Sequence, residues 1–311
     1  MLLDYEKIDP DLLPALEAFP ALDITRDNIV RVRELMAQNP PPPKPEAVQE
    51  GKETIQTADG DLDINVYRKN DRPGQAAVLW IHGGGYVLGK ADDHRAMVIA
   101  DHCDCTVFSV DYRLAPEYPF PAGPEDCYAA LSWLMKGNSG YDIDLDRVAI
   151  GGASAGSGMA AGVALMNRDR DNFPLRLQLL LYPMIDNLHA TVSGQYQNHP
   201  VWKQSTSFNA WEMYLDGTPD EDASPYAAAT RAKDLRGLPP AYLCVGSEDL
   251  FRDEDIDYAR RLIDADVPTE MAVFPGVYHA AESFVPTAAV GVRLNNSFLA
   301  ALNDALKTNK E

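Results

Sequence analysis

Short apolar runs alternate with helix-length segments along most of this chain. Strands are predicted at residues 77–81, 106–110, 148–151, 177–182, 241–245 and 271–274. Helices are predicted between and after them, at 92–102, 123–135, 155–166, 253–266 and 286–306. Parallel strands need long crossovers, usually helices, so this alternation predicts an α/β fold with a mostly parallel central sheet flanked by helices.

Two segments precede this pattern. Residues 11–19 and 25–38 have the amphipathic pattern of helices, and a proline run at 40–43 is predicted to be a rigid linker. Residues 52–57 and 62–67 alternate as strands around Asp59-Gly60, a dipeptide that favours a tight hairpin. An antiparallel pair is therefore expected at one edge of the sheet.

The alternation stops between residues 186 and 234, a stretch rich in aromatic side chains. Long insertions in compact domains are usually lids or binding loops, so this one is predicted to lie over the sheet. Its Trp202, Phe208 and Trp211, together with Tyr86, are candidate walls of a substrate pocket. The alternative is that these aromatic rings only pack the insertion onto the core.

Charge limits the partners of the chain. It has 47 acidic and 27 basic residues, a formal charge of −20, and this excess predicts repulsion from nucleic acid and anionic membranes. A small neutral or cationic substrate is the expected partner. No stretch reaches the roughly 18 apolar residues of a membrane span, and the N-terminus lacks signal-peptide features. A cytoplasmic location is expected.

The four cysteines do not form a disulfide framework in a chain of 311 residues. Cys127 and Cys244 have apolar neighbours and are predicted to be buried thiols. Cys103 and Cys105 have a C-x-C spacing that suits metal binding or oxidation, but no second Cys/His pair completes a zinc site. The alternating acids of residues 141–146 lack the glycine and glutamate of a calcium loop and are expected to form a polar loop before a strand. No metal is expected.

A GASAG segment at residues 152–156 stands between a predicted strand and a predicted helix. This strand-turn-helix context is that of a nucleophile elbow, whose sharp turn presents a serine at the carboxyl end of a central strand. Ser154 is therefore the candidate nucleophile. The alternative is a glycine- and serine-rich turn without chemistry.

A serine hydroxyl is a weak nucleophile and needs a base that is itself oriented by an acid. Asp249 and His279 each follow a predicted strand, so both should lie at the same sheet edge as Ser154. The histidines at positions 94, 102, 189 and 199 lack this strand-end context. Glu248 is the nearest rival acid, whereas the acids at 253 and 254 suit the first turn of the next helix.

An HGGG segment at residues 82–85 follows the apolar run AVLWI. Glycines let the backbone approach a substrate closely, and backbone N–H groups can hold the oxyanion of acyl transfer. The expected donors are the N–H groups of Gly84, Gly85 and Ala155. A glycine-rich phosphate cradle is disfavoured because neither a GK[ST] nor a G-x-G-x-x-G pattern follows.

These motifs, with DYRLAPEYPFPA at 111–122 and DLFRDE at 249–254, resemble the bacterial hormone-sensitive-lipase-like carboxylesterases of the α/β-hydrolase superfamily. The resemblance spans roughly residues 77–283. It implies an α/β-hydrolase fold, a Ser-Asp-His triad and no cofactor. It also implies a helical cap from residues 1–45 and 186–234 over a catalytic core of 46–185 and 235–311, and a homodimer formed through the sheet edge.

The chain departs from that family at a few positions. Ala153 and Ser157 stand where an acidic residue and a glycine are common, Leu250 replaces a frequent proline, and Ala280 replaces the usual glycine. The catalytic residues are unaffected, but the shape of the pocket cannot be transferred.

The combined prediction is a serine carboxylesterase that cleaves short-to-medium acyl esters through an acyl-enzyme. Two alternatives stay open: an amidase or deacetylase on the same triad, and a hydrolase-fold protein that binds a ligand without turnover. A long-chain lipase is disfavoured, because the N-terminal region lacks a large apolar surface for interfacial binding.

Overall fold

A central eight-stranded sheet organises the computed structural model, which describes residues 2–19, 23–38 and 43–308. The strands are β1 (Gln49–Thr57), β2 (Gly60–Arg68), β3 (Gln75–Ile81), β4 (Cys105–Val110), β5 (Ile143–Ala153), β6 (Leu177–Leu181), β7 (Ala241–Gly246) and β8 (Thr269–Phe274). Their order across the sheet is β1-β2-β4-β3-β5-β6-β7-β8. From β4 to β8 every pairing is parallel, and β1 and β2 add an antiparallel edge. The predicted mostly parallel sheet and its antiparallel edge pair are confirmed.

Helices precede the first strand, connect the parallel strands and follow the last strand. They are α1 (Leu13–Ala18), α2 (Ile29–Ala37), α3 (His94–His102), α4 (Ala122–Met135), α5 (Ala155–Asp169), α6 (Gln204–Leu215), α7 (Arg252–Asp264), α8 (Ala281–Phe284) and α9 (Ala289–Ala305). Strands β3, β4, β6 and β7 are buried along their whole length, as expected for parallel strands with both faces covered. Among these helices none is long and apolar enough to cross a bilayer.

The structure differs from the sequence-based expectations at three places. Residues 143–146, expected as loop, belong to β5, where Ile143 pairs with Gln75. The helix expected at 286–306 is α9, which starts three residues later, at Ala289, and the short α8 precedes it. Helix α6 lies in the segment where no periodicity was found. The periodicity is absent because α6 buries polar side chains such as Ser207 beside Trp211. Most of the predicted proline linker, residues 40–42, lies outside the described residues.

The N-terminal segment packs on the insertion between β6 and β7. The N–H of Leu3 donates to Asn198 Oδ1 at 2.6 Å, and Asn209 Nδ2 donates to the Ile24 carbonyl at 2.9 Å. Arg26 forms an ion pair of 3.0 Å with Asp216, at the end of α6. The two segments expected to build a cap are therefore in direct contact.

All four cysteines are free and buried, which confirms the interpretation of Cys127 and Cys244. The pKa of Cys105 is raised well above that of an ordinary thiol, first by a hydrogen bond with Cys103 and then by burial. In residues 2–19, 23–38 and 43–308 no group of three or more His, Cys, Asp or Glu side chains is arranged to hold a metal ion.

Candidate active site

The four motif segments converge at one edge of the sheet. The HGGG segment follows β3, Ser154 follows β5, Asp249 follows β7 and His279 follows β8. Since these strands are parallel, their carboxyl ends share an edge, where ligands of open α/β sheets bind.

Ser154 is the single residue between β5 and α5, and its backbone is strained. Its φ of 56° and ψ of −122° are rare for a residue with a side chain. Two hydrogen bonds hold it: its N–H donates to the Leu181 carbonyl at 2.9 Å, and its carbonyl accepts from the Met184 N–H at 3.1 Å. This strained turn between strand and helix is the geometry of a nucleophile elbow.

The elbow is packed too tightly for larger side chains. A Cβ on Gly156 would lie 2.0 Å from the Ile81 carbonyl oxygen, so glycine is required there. Ser157 is fully buried; its hydroxyl lies 2.5 Å from the Gly152 carbonyl and accepts from the Leu181 N–H at 2.8 Å. Ser157 thus joins the elbow to β6, a contact that no local sequence pattern indicates.

A hydrogen-bond chain joins Ser154, His279 and Asp249. His279 Nε2 lies 2.9 Å from Ser154 Oγ, and His279 Nδ1 lies 2.9 Å from Asp249 Oδ2. An ionised carboxylate only accepts, so Nδ1 carries the ring proton and Nε2 of the neutral ring accepts from the serine hydroxyl. Asp249 is fully buried and also accepts from the Phe251 N–H at 3.0 Å. This arrangement can take a proton from Ser154.

The neighbouring acids bind other groups. Glu248 accepts from the hydroxyls of Ser247 and Tyr196, at 3.0 and 3.4 Å, and Asp253 accepts from the Ser193 N–H at 2.8 Å. Glu254, in the first turn of α7, is buried, and burial raises its pKa well above the usual range. Of these carboxylates, Asp249 is the one bonded to His279.

Aromatic packing and hydrogen bonds hold the loop that carries His279. The rings of Tyr182 and Phe251 meet the imidazole edge-on, each at 5.1 Å between centroids. Three residues further on, buried Glu282 accepts from the Tyr182 hydroxyl at 2.5 Å and from Arg95 Nε at 3.0 Å. The imidazole is thus packed by two rings, and the helix after it is anchored by a buried ion pair.

The HGGG loop lies against the elbow. A Cβ on Gly83 would be 2.7 Å from the Ala153 carbonyl and 3.4 Å from Ser154 Cβ. Gly84 and Gly85 have φ values of 121° and 60°, which favour glycine. No acceptor in the described part of the chain bonds to the N–H of Gly84, Gly85 or Ala155. These three donors are thus not used within the described part of the chain.

Of the four predicted pocket residues, three are buried and Phe208 is exposed. Tyr86 and Trp211 are fully buried, their rings 5.0 Å apart, and the Tyr86 hydroxyl donates to the Met184 carbonyl at 2.6 Å. Trp202 packs on the HGGG loop, since a Cβ on Gly85 would lie 2.4 Å from its ring. Phe208, on α6, is 40% exposed. Their role in a pocket stays a prediction.

A cavity of about 400 Å³ lies between the N-terminal segment and the insertion. Its lining mixes apolar, amide and charged side chains: Tyr5, Leu16, Glu17, Phe19, Gln197, Asn198, His199, Pro200 and Lys203. His199 belongs to this lining, and burial lowers its pKa to about 4. None of Ser154, Asp249 and His279 lines this cavity.

A family model described as alpha/beta hydrolase fold matches residues 78–283 of this sequence. The chain belongs to this family. Esterase LipI of Mycobacterium tuberculosis (strain ATCC 25618 / H37Rv) is 33% identical over 310 residues, covering 96% of this chain and 95% of LipI. Carboxylesterase NlhH from the same strain is also 33% identical, covering 96% of both chains.

Solved structures of the same fold extend this likeness. A bacterial heroin esterase superposes with a TM-score of 0.91 at 35% identity, covering 98% of this chain and 99% of its own. Esterase LipW from Mycobacterium marinum superposes with a TM-score of 0.88 at 32% identity, covering 99% of both chains. The resemblance and the α/β-hydrolase fold inferred from the motifs are thereby confirmed.

Proposed function

We propose that this chain is a serine carboxylesterase in which Ser154 attacks the ester, His279 transfers the proton and Asp249 orients the imidazole. The observation that carries this proposal is the continuous hydrogen-bond chain through the three side chains, 2.9 Å at each link. The relatives named as esterases and carboxylesterases support ester hydrolysis as the activity.

Acylation begins when the Ser154 hydroxyl proton passes to His279 Nε2 and Oγ bonds to the ester carbonyl carbon. The carbonyl π electrons move to oxygen and give a tetrahedral oxyanion. When the oxyanion collapses, the bond to the alcohol oxygen breaks and His279 gives that oxygen its proton. The alcohol leaves, and the acyl group stays on Ser154.

Deacylation repeats the sequence with water. His279 takes a proton from the water as its oxygen attacks the acyl carbon, and the second oxyanion expels Ser154 Oγ, which receives the proton from His279. This step releases the carboxylic acid and restores the Ser154 hydroxyl. Asp249 holds the imidazole in one tautomer throughout and stabilises the imidazolium in both steps.

The N–H groups of Gly84, Gly85 and Ala155 are assigned to the oxyanion. Ala155 follows Ser154 directly, Gly84 and Gly85 follow Gly83, which packs against Ser154, and the three N–H groups have no protein acceptor among the described residues. Removing one such donor typically costs about 2.7–4 kcal/mol of transition-state stabilisation. This assignment needs no cofactor.

We assign residues 1–45 and 186–234 to a cap over a catalytic core of residues 46–185 and 235–311. The contacts of Leu3 and Arg26 with the insertion support one joint unit. The proposed substrates of this core and cap are short-to-medium acyl esters.

Steady-state hydrolysis of p-nitrophenyl esters, from acetate to palmitate, tests the function. The wild type should turn over the short esters, while Ser154→Ala, His279→Ala and Asp249→Asn should lose most of kcat, the last by about 10⁴-fold. Glu248→Gln is the matched control and should keep its activity. p-Nitroacetanilide tests amide cleavage in the same assay.

An inert wild type, or a Ser154→Ala variant as active as the wild type, would contradict the proposal and favour a binding role. Cleavage of p-nitroacetanilide at a rate near that of p-nitrophenyl acetate would replace the esterase by an amidase on the same residues. Activity on palmitate above that on butyrate would contradict the assigned acyl range.

A further inference from the structure

One arginine of the N-terminal segment reaches the oxyanion loop. Arg33, on α2, donates from Nε to the Val87 carbonyl at 2.8 Å and from Nη2 to the Ala115 carbonyl at 2.7 Å. Its guanidinium also forms a two-point pair with the Glu117 carboxylate, at 2.8 and 3.0 Å. Arg33 therefore joins three segments that are far apart in sequence.

The contact with Val87 leads directly to an oxyanion donor. The N–H groups of Val87 and Leu88 donate to the Gly84 carbonyl at 3.1 and 2.9 Å. That carbonyl and the N–H of Gly85 belong to one planar peptide unit, in which C=O and N–H point in opposite directions. Whatever fixes the Gly84 carbonyl therefore also fixes the direction of the Gly85 N–H.

The other contact of Arg33 holds the same loop from a second side. The N–H of Ala115 donates to the Tyr86 carbonyl at 3.1 Å, and the carbonyl of Ala115 accepts from Arg33. Pairing with the guanidinium lowers the pKa of Glu117, so this carboxylate stays ionised and keeps the arginine in place. The loop from Gly84 to Leu88 is thus held at two successive residues.

We infer that Arg33 is a positioning residue of the oxyanion hole, which makes the N-terminal segment part of the catalytic machinery. This inference rests on the proposed function. Donors stabilise an oxyanion only when they already point to its position, and the oxyanion forms only in the transition state. Loss of Arg33 should therefore lower kcat more than it changes KM.

The chain offers a matched control in Arg26. It lies in the same N-terminal segment and pairs with Asp216 at 3.0 Å, so it ties this segment to α6. Arg26 has no contact with the oxyanion loop among its hydrogen bonds and ion pairs with described residues. A general loosening of the N-terminal segment should affect both arginine variants, whereas loss of donor alignment should affect Arg33 variants alone.

The experiment compares Arg33→Met and Arg26→Met with the wild type on p-nitrophenyl butyrate. For Arg33→Met we expect kcat to fall about tenfold, less than the loss of a whole donor, with KM within about twofold. The Ki of an alkyl trifluoromethyl ketone, whose serine adduct carries an oxyanion, should rise by the same factor as kcat falls. Arg33→Lys should recover part of the loss, and Arg26→Met should match the wild type.

If Arg33→Met unfolds more easily than the wild type, amide hydrogen exchange of residues 82–89 provides a second measurement of the loop. Exchange there should be faster in Arg33→Met than in Arg26→Met. Unchanged kcat and Ki in Arg33→Met, or equal losses in both methionine variants, would overturn the inference while leaving an active wild type as an esterase. An inactive wild type would overturn the proposed function and the inference with it.

Discussion

Gly246, at the end of β7, lies directly beneath the loop that carries His279. A Cβ there would be 2.0 Å from the Val277 carbonyl oxygen and 2.6 Å from its carbon. Ordinary contact of a Cβ begins at 3.4 Å, so Gly246→Ala must displace Val277 by about 1.4 Å. The obstacle is backbone, and a rotamer change cannot relieve it.

His279 follows Val277 by two residues, and its hydrogen bonds with Ser154 and Asp249 are both 2.9 Å long. A shift of about 1.4 Å would stretch at least one of them beyond hydrogen-bonding distance. Misplacement of a catalytic group by about 1 Å can cost 10²-fold, so we expect kcat/KM to fall by about 100-fold. Overpacking should also lower the free energy of unfolding by about 1–3 kcal/mol.

Gly217→Ala is the control, because a Cβ at Gly217 meets no heavy atom within 4 Å. Both variants are assayed on p-nitrophenyl butyrate at a temperature where circular dichroism shows them folded. If Gly246→Ala is folded and keeps kcat/KM within about threefold of the wild type, the placement of His279 by the β7 end is refuted.

Two further predictions concern stability. Burial lowers the pKa of His189 to about 4, so between pH 6.5 and 4 the unfolded chain binds the proton that the folded chain excludes. Protonation of His189 should therefore lower the free energy of unfolding by about 2 kcal/mol as the pH falls from 6.5 to 5. Urea titrations of His189→Gln should show a shallower decline of this free energy with falling pH. An equal slope in the variant and the wild type would contradict the assignment. Arg95→Met leaves Glu282 buried without its cation and should cost about 3 kcal/mol. Arg260→Met, at an exposed pair, should leave guanidinium unfolding unchanged; an equal loss in both variants would contradict the role of burial.

The sheet could be predicted because burial on both faces leaves a direct trace in the sequence. Strands such as β3 and β6 are buried along their whole length and consist almost entirely of apolar residues. Segments of ordinary helix length separate the successive strands. The triad candidates followed from the same pattern, since a polar residue just after a parallel strand must lie at the carboxyl edge. Only relative position along the strands was needed to bring Ser154, Asp249 and His279 together.

The missed features depend on contacts between distant segments. Helix α6 buries the polar Thr206 and Ser207 and exposes Phe208, so it lacks the apolar stripe by which surface helices are recognised. The hydrogen bonds of Ser157 with β6 and of Arg33 with the oxyanion loop join residues separated by 24 and 54 positions. Nothing in the local pattern of an arginine on a helix indicates which carbonyl it will bind.

Labelling with diethyl p-nitrophenyl phosphate tests the central claim, that Ser154 is a nucleophile activated by His279. The wild type should release one equivalent of p-nitrophenol and gain one diethylphosphoryl group, which peptide mass spectrometry should place on Ser154. His279→Ala should react far more slowly, and Ser154→Ala not at all. Labelling of another residue, or equal labelling of the His279→Ala variant, would contradict the account.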